Sequence, residues 1–214
     1  MTTSVDNPPI VHIVDDDAGV CQALELLLTS NDYHCRSYPD AASFLNHYNN
    51  GPGCILLDVR MPGISGLELQ DMLHQRDIHL PVIIITGHGD VAMAVRAMKA
   101  GAIDFIEKPF SARTLLGQIE QALQQGQQTH QRLAQQQQID RQMQLLSRRE
   151  QQVLDHILAG RINKVIAAEL GISLSTVEAH RKRIMEKLQA DSPSQLIRIT
   201  LSYRQRHNPD PAAD

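Results

Sequence analysis

The sequence predicts a doubly wound α/β domain on a five-stranded parallel sheet, then a helical linker, then an all-α four-helix helix-turn-helix domain. Three observations predict it. Apolar runs of strand length alternate with helix-spaced apolar stripes over residues 10–125. Four short segments with helix-start signals occupy 144–206, and the stretch between is crowded with glutamine. The charge also changes sign: residues 1–111 carry six Lys/Arg against fourteen Asp/Glu, whereas residues 147–206 carry eleven against six. An acidic half suits a cation or phosphoryl chemistry, and a basic half suits nucleic acid.

The strands are read at 10–14 (IVHIV), more weakly at 33–38, then at 54–57 (CILL), 82–85 (VIII) and 103–106 (IDFI). Between them, Val20, Leu24, Leu27 and Leu28 form one apolar helix face, Leu67, Leu69, Met72 and Leu73 a second, and Val91, Val95 and Met98 a third. Strands alternating with helices imply βαβ units and a parallel sheet covered on both faces. In such a domain, bounded at 8–125, the functional loops follow the carboxyl ends of the strands.

Residues 118–144 hold thirteen glutamines, with a broken apolar stripe of Leu115, Ile119, Leu123, Leu133, Ile139 and Met143. Over 126–143 this is either a polar, partly disordered linker or a helix that pairs with its twin as a short coiled coil, a reading that Gly126 weakens. In the third segment, 144–206, SRRE at 147–150, STVE at 175–178 and SPSQ at 192–195 match the capping box, in which a Ser caps the amide three residues on and a Glu or Gln reaches back. Asn163 is read as a further cap and Gly171 as a helix stop. The helices therefore span roughly 148–159, 164–170, 175–189 and 193–205, with the tail HNPDPAAD frayed.

A chain of 214 residues suits one medium domain and one small one. With no Trp, four Tyr and three Phe in a 42% apolar composition, aliphatic side chains must fill the cores. The opening MTTSVDNPP lacks the basic and apolar regions of a signal peptide, and no apolar run could span a bilayer, so a cytoplasmic protein is expected. Cys21, Cys35 and Cys54 are odd in number without CxxC spacing, and are expected as reduced, buried thiols.

The chemistry gathers at strand ends. Asp15, Asp16 and Asp17 follow the first strand and Asp58 follows CILL. If these strands are neighbours, their carboxylates share one crevice and repel unless a hard divalent cation such as Mg²⁺ is present. Thr86 ends the fourth strand and Lys108 follows the fifth. A carboxylate nucleophile, a metal, a hydroxyl and an ammonium make a phosphoryl-transfer constellation. A DDD run alone could be a helix cap, and a lone Thr or Lys at a strand end is usually a solvated residue. Four strand ends supplying this set in order is the stronger signal.

VDDD, LLDVRMPGISG, IIITGHGD and DFIEKPF resemble the CheY-like receiver domain of bacterial response regulators. The resemblance implies that Asp58 is the phospho-aspartate. It implies that Asp15, Asp16, Asp58 and the backbone carbonyl of Arg60 bind Mg²⁺, that Lys108 pairs with the phosphoryl group, that Thr86 moves to bond it, and that Phe105 swings inward. It implies a cis Lys108–Pro109 peptide and a tight turn at Gly66, with Arg60 and His88 flanking the site.

Residues 175–189, STVEAHRKRIMEKLQ, carry a buried stripe of Val177, Ile184 and Leu188 and a basic exposed side. The helix before it, the turn GIS and this helix read as a helix-turn-helix, against the plainer reading of a solvated basic face. LSRREQQVL and the stretch through TVEAHRKRIMEKL resemble the LuxR-type domain, and with the receiver in front the chain is similar to the FixJ/NarL regulators, closest to the FixJ branch. That implies base contacts from Glu178, Ala179 and Lys182, and phosphate contacts from Thr176, His180, Arg181, Arg183 and Lys187, with Lys164 nearby. Glu178 either completes the cap, the preferred reading, or accepts from a cytosine amine. The last helix, with Leu196, Ile197, Ile199, Thr200 and Leu201, is either a dimer face or core. The implied protein is not an enzyme beyond self-phosphorylation and autodephosphorylation. Its implied partners are a sensor histidine kinase, promoter DNA, RNA polymerase and, when phosphorylated, a second copy. An aspartyl-phosphate phosphatase would want DxD after its first strand; a phosphorylation-independent adaptor would not need Asp58 or the basic helix.

Overall fold

The computed structural model describes residues 8–87 and 91–207. His88 and residues 208–214 of the tail lie outside the described residues. The chain divides into two compact units between Gln131 and Arg132.

In the first unit, β1 (Ile10–Val14), β2 (His34–Tyr38), β3 (Gly53–Asp58), β4 (Val82–Thr86) and β5 (Asp104–Glu107) form one sheet in the order β2-β1-β3-β4-β5. Every neighbouring pair is parallel. The helices are α1 (Ala18–Thr29), α2 (Ala41–His47), α3 (Gly66–Gln75), α4 (Val91–Lys99) and α5 (Ala112–Gln144). Side chains alternate across each strand, so the sheet carries a core on each face. Val11, Ile13, Leu56, Ile83 and Ile85 pack with Leu24 and Leu28 of α1 and Leu115 and Ile119 of α5. Val14, Ile55, Leu57 and Ile84 pack with Phe44 of α2 and Leu69 and Leu73 of α3. The first two predicted helix faces are therefore core faces.

The third is not. Val91 is 81% exposed, and Val95 and Met98 are about half exposed, while the buried residue of α4 is Ala97. The stripe expected to face the sheet faces away from it, because the small alanine gives the closest approach to the core. The helix α2 carries no such stripe over its seven residues; it is held by Ala41 and Phe44 and by Asp40, whose carboxylate accepts from the Ser43 amide at 2.7 Å. Gly126 is buried where α5 passes the start of β3: a Cβ there would lie 2.2 Å from the Gly53 carbonyl oxygen. The glycine that weakened a helical reading is what lets the helix pass.

The second unit starts within α5. Ile139, Met143 and Leu146 join a core with Val153, Leu154 and Ile157 of α6 (Arg148–Leu158), Ile166 of α7 (Asn163–Leu170), Val177 and Ile184 of α8 (Leu174–Lys187) and Leu196 of α9 (Pro193–His207). Asp140 pairs with Arg206 of α9 at 2.7 Å. The Ser147–Glu150 capping box is present, and Ser192 accepts from the Gln195 amide at 3.2 Å. Two expected caps move. Ser173, not Ser175, caps α8, accepting from the Thr176 amide at 3.1 Å, because Ile172 packs against the core and leaves Ser173 as the last extended residue. Asn163 is the first helical residue of α7, behind Ile162, and no side chain caps that end. Gly171 closes α7 in the left-handed conformation, as expected.

Candidate functional site

Parallel pairing puts β1 beside β3, with Val14 opposite Leu57, so Asp15 and Asp58 emerge side by side at the carboxyl edge. Both are buried. Lys108, after β5, is anchored by its amide, which donates to the Thr86 carbonyl at 2.8 Å. Its Nζ reaches back across the edge and donates to Asp15 Oδ2 at 2.8 Å and to Asp58 Oδ1 at 3.1 Å. The second oxygens are held by backbone: Asp15 Oδ1 accepts from the Asp17 amide at 2.9 Å and Asp58 Oδ2 from the Arg60 amide at 2.7 Å. Gly66 makes the turn after Asp58 tight, since a Cβ there would lie 2.2 Å from the Asp58 carbonyl oxygen.

The electrostatics follow from this crowding. Burial pushes the Asp58 carboxyl above the usual carboxylate range, against the pull of the Lys108 ammonium and the Arg60 amide. Burial works against the Lys108 ammonium too, but its hydrogen bonds to Asp15 and Asp58 outweigh that and hold its pKa above the usual lysine range. One cation thus serves two buried carboxylates.

The three consecutive aspartates have three tasks. Asp15 is in the buried pair. Asp16 is exposed and borders a shallow cleft with Asp40, Pro62 and Ile64. Asp17 is the N-cap of α1, accepting from the Gly19 and Val20 amides. Among the described residues no three His, Cys, Asp or Glu side chains are gathered as a metal cluster. The donors at the edge nevertheless suit a hard cation: the buried carboxylates of Asp15 and Asp58, with the exposed Asp16 next to Asp15 in the chain.

Thr86 is buried at the end of β4, opposite Glu107, on the strand next to Asp58. Phe105 is half-buried opposite Ile84 and packs at the border of the core face that α2 and α3 cover. Lys108–Pro109 is cis, as expected.

In the second unit, α7, the turn at Gly171 and α8 form the helix-turn-helix. Val177, Ile184 and Leu188 are buried as one stripe. On the other side Glu178, Ala179, Lys182 and Arg183 are exposed, as is Lys164 on α7, and Thr176, His180 and Arg181 are half-buried. With Ser173 capping α8, Glu178 has no part in the cap, which removes the reading preferred from sequence. Lys187 has an unforeseen task. Its ammonium donates to Glu150 at 2.7 Å and to the Leu145 carbonyl at 3.0 Å, so it braces the end of α8 against the start of α6. The Lys187 and Ser147 hydrogen bonds outweigh burial and hold the Glu150 carboxyl below its usual range. The capping-box motif marked Glu150 for its helix end but carried no signal for a partner 37 residues away. Leu196 and Thr200 of α9 are core, so the core reading of that helix holds for them, whereas Ile197 and Leu201 are exposed.

Comparison with known proteins agrees with this division. Residues 11–120 match the family described as the response regulator receiver domain, and residues 144–200 match the bacterial regulatory proteins of the luxR family. The chain is 43% identical over 196 residues to the response regulator protein TmoT of Ectopseudomonas mendocina, covering 91% of this chain and 89% of that one. It is 41% identical to the transcriptional regulatory protein FixJ of Bradyrhizobium diazoefficiens, covering 89% and 94%. It resembles the solved structure of the response regulator StyR with a TM-score of 0.84 at 44% identity, over 91% of this chain and 99% of that chain.

Proposed function

The chain belongs to the two-component response regulators that join a receiver domain to a LuxR-type DNA-binding domain, and we propose that phosphorylation of Asp58 by a sensor histidine kinase drives its dimerisation and its sequence-specific binding to promoter DNA. Its family is one of transcriptional regulators rather than catalytic enzymes. The observation that carries the reading is the Lys108 ammonium held between the buried carboxylates of Asp15 and Asp58.

In the transfer step an Asp58 oxygen attacks the donor phosphorus, the bond from phosphorus to the donor's histidine nitrogen breaks, and the electron pair leaves with that nitrogen. Asp58 is held for attack by the Arg60 amide on one oxygen and by Lys108 on the other. Burial raises its proton affinity, which strengthens it as a nucleophile once ionised. Lys108 stays charged and meets the negative phosphoryl oxygens. Asp15, Asp16, Asp58 and the Arg60 carbonyl would hold Mg²⁺, which supplies charge neutralisation at the phosphoryl group when bound. The phosphoryl oxygens then offer Thr86 new acceptors, and movement of Thr86 gives Phe105 room to turn inward.

The exposed α4 stripe of Val91, Val95 and Met98 supports a second copy as the partner of the phosphorylated receiver, and Ile197 and Leu201 on α9 offer a further apolar patch. For DNA, Glu178, Ala179 and Lys182 are the base-reading set, and Lys164, Thr176, His180, Arg181 and Arg183 the phosphate set. We leave Lys187 out of that set because Glu150 occupies it. Once on a promoter, the regulator acts on RNA polymerase. The test is intact-mass and peptide mapping after incubation with acetyl phosphate and Mg²⁺. One phosphoryl group on Asp58, absent in Asp58→Ala, supports the reading; a stable phosphoryl group on another residue overturns it.

A further inference from the structure

Two adjacent residues in the first turn of α6 hold the two helices of the helix-turn-helix. Consecutive residues on a helix point about 100° apart, so Arg149 and Glu150 meet different neighbours. Arg149 Nη2 donates to the carbonyl of Leu170, the last residue of α7, and its Nη1 donates to Gln152 Oε1 at 2.9 Å. Glu150 is buried and accepts at 2.7 Å from the ammonium of Lys187, the last residue of α8. Arg149 belongs neither to the capping box nor to the basic face of α8.

The turn after α7 closes through its own backbone. The Ile172 amide donates to the Ala167 carbonyl at 3.0 Å and the Gly171 amide to the Ala168 carbonyl at 3.4 Å. Neither reaches the Leu170 carbonyl, which takes Arg149 instead. Elsewhere α7 is held lightly. Ile166 is its one fully buried residue, with Ala167 and Leu170 at the border of the core, and no side chain caps its start. Its other tie to α6, His156 with Glu169 at 3.0 Å, is partly exposed and adds little.

Arg149 therefore fixes α7 at the turn, while Lys187 fixes α8 at its far end. Two helices joined by a short turn and held at those two points have one angle between them. Glu178 lies nine residues before Lys187. At 1.5 Å per residue that is about 14 Å of helix, so a tilt of about 5° at Lys187 shifts Glu178 by roughly 1 Å. A shift of that size breaks a hydrogen bond to a base edge. Any cation near a helix end is favourable, and a lysine would supply one. The planar fork of Arg149 does more: it binds an acceptor on each helix at once, which sets the spacing between them. It also occupies the guanidinium within the protein.

We propose that Arg149 is a positioning residue for DNA recognition. By tying the end of α7 to the first turn of α6, it sets the angle between α7 and α8, and with it the register in which Glu178, Ala179 and Lys182 meet the bases. It contacts no DNA itself. This rests on the reading of α8 as the base-reading helix.

The test uses the full chain with acetyl phosphate and Mg²⁺. It is titrated on a DNA site that the wild type selects from random sequence, and on a scrambled duplex of the same length. Arg149→Met keeps the stem and removes the fork. Its ratio of selected-site to scrambled affinity should fall about fivefold or more, the low end of what one bidentate base contact contributes. Its affinity for scrambled DNA and its salt slope should stay at wild-type values. An unchanged ratio overturns the positioning role, and so does a slope reduced by about 0.9, which marks a lost phosphate contact. A second measurement is independent of how the variant folds. In wild-type NMR spectra the Arg149 Nη protons should give separate, slowly exchanging signals, both in the free chain and on DNA. One averaged signal overturns the tie. A wild type with no preference for its selected site overturns the base-reading role of α8 and the positioning role with it.

Discussion

At Asp58 the chemistry the site needs works against the fold that holds it. Its carboxyl is pushed above the usual range by burial. A group whose folded pKa is raised contributes stability below its unfolded pKa, near 4 for Asp, and loses it as pH rises through the folded value. At neutral pH, ionised Asp58 therefore subtracts from stability. Asp58→Asn should melt higher than wild type at pH 7, by about 2–4 °C for a change on the order of 1 kcal/mol. That difference should shrink as pH falls toward 4. Calorimetry across pH checks it; an equal or lower melting temperature at pH 7 counts against a buried, penalised carboxylate. The strand-end positions of Asp15, Asp58, Thr86 and Lys108 were legible because each follows an apolar run. The sharing of Lys108 was not legible, since it joins residues 93 and 50 positions apart. Nor was His12, which sits mid-strand at an expected core position. Its Nδ1 bonds the Tyr38 hydroxyl at 3.1 Å, and burial, with Arg36 adding to it, lowers its pKa to about 4.

Among the elements, helices failed the sequence reading where a small residue or a remote partner decided the outcome. The α4 pattern has the right spacing for a core face, but Ala97 takes the core and leaves the larger side chains outside. Spacing alone does not say which of two stripes is buried. Gly126 looked like a helix breaker and is a contact residue: Gly126→Ala would drive a Cβ into the Gly53 carbonyl, now 2.2 Å from that position. It should cost about 2–3 kcal/mol by overpacking, read as a lower denaturant midpoint for the first unit. An unchanged midpoint would mean α5 does not pass there. In the second unit, Glu150→Ala removes a cap partner and leaves Lys187 without its carboxylate, at a cost of about 2 kcal/mol. The Glu150 pKa is lowered, so its contribution is present above the ordinary glutamate value near 4.5 and is lost as pH falls from there through the folded value. The variant's deficit should be full at pH 6 and vanish under acid; a pH-independent deficit would point to packing instead of charge.

Across the molecule, an acidic receiver unit is joined to a basic unit that holds the helix-turn-helix, and charge and motif alone made this division legible in the sequence. What it did not show is that the compact second unit begins at Arg132, inside a segment whose composition suggests a linker. Met143 and Ile139 are spaced too sparsely among glutamines to signal a packed face, yet they join a core. The basic face makes a separable prediction. Removing one phosphate contact, as in Arg183→Ala, should reduce the slope of log affinity against log salt by about 0.9. Lys187→Met should leave the slope unchanged while lowering the melting temperature; a reduced slope would return Lys187 to the phosphate set. The central claim is that the phosphoryl group on Asp58 governs DNA binding. Its most direct measurement is the affinity of full-length wild type and Asp58→Asn for a DNA site selected from random sequence, each with and without acetyl phosphate and Mg²⁺. The account predicts that wild-type affinity rises about tenfold or more on phosphorylation, within the usual range of allosteric coupling, and that Asp58→Asn shows no change. An equal rise in both proteins, or none in a fully phosphorylated wild type, would contradict it.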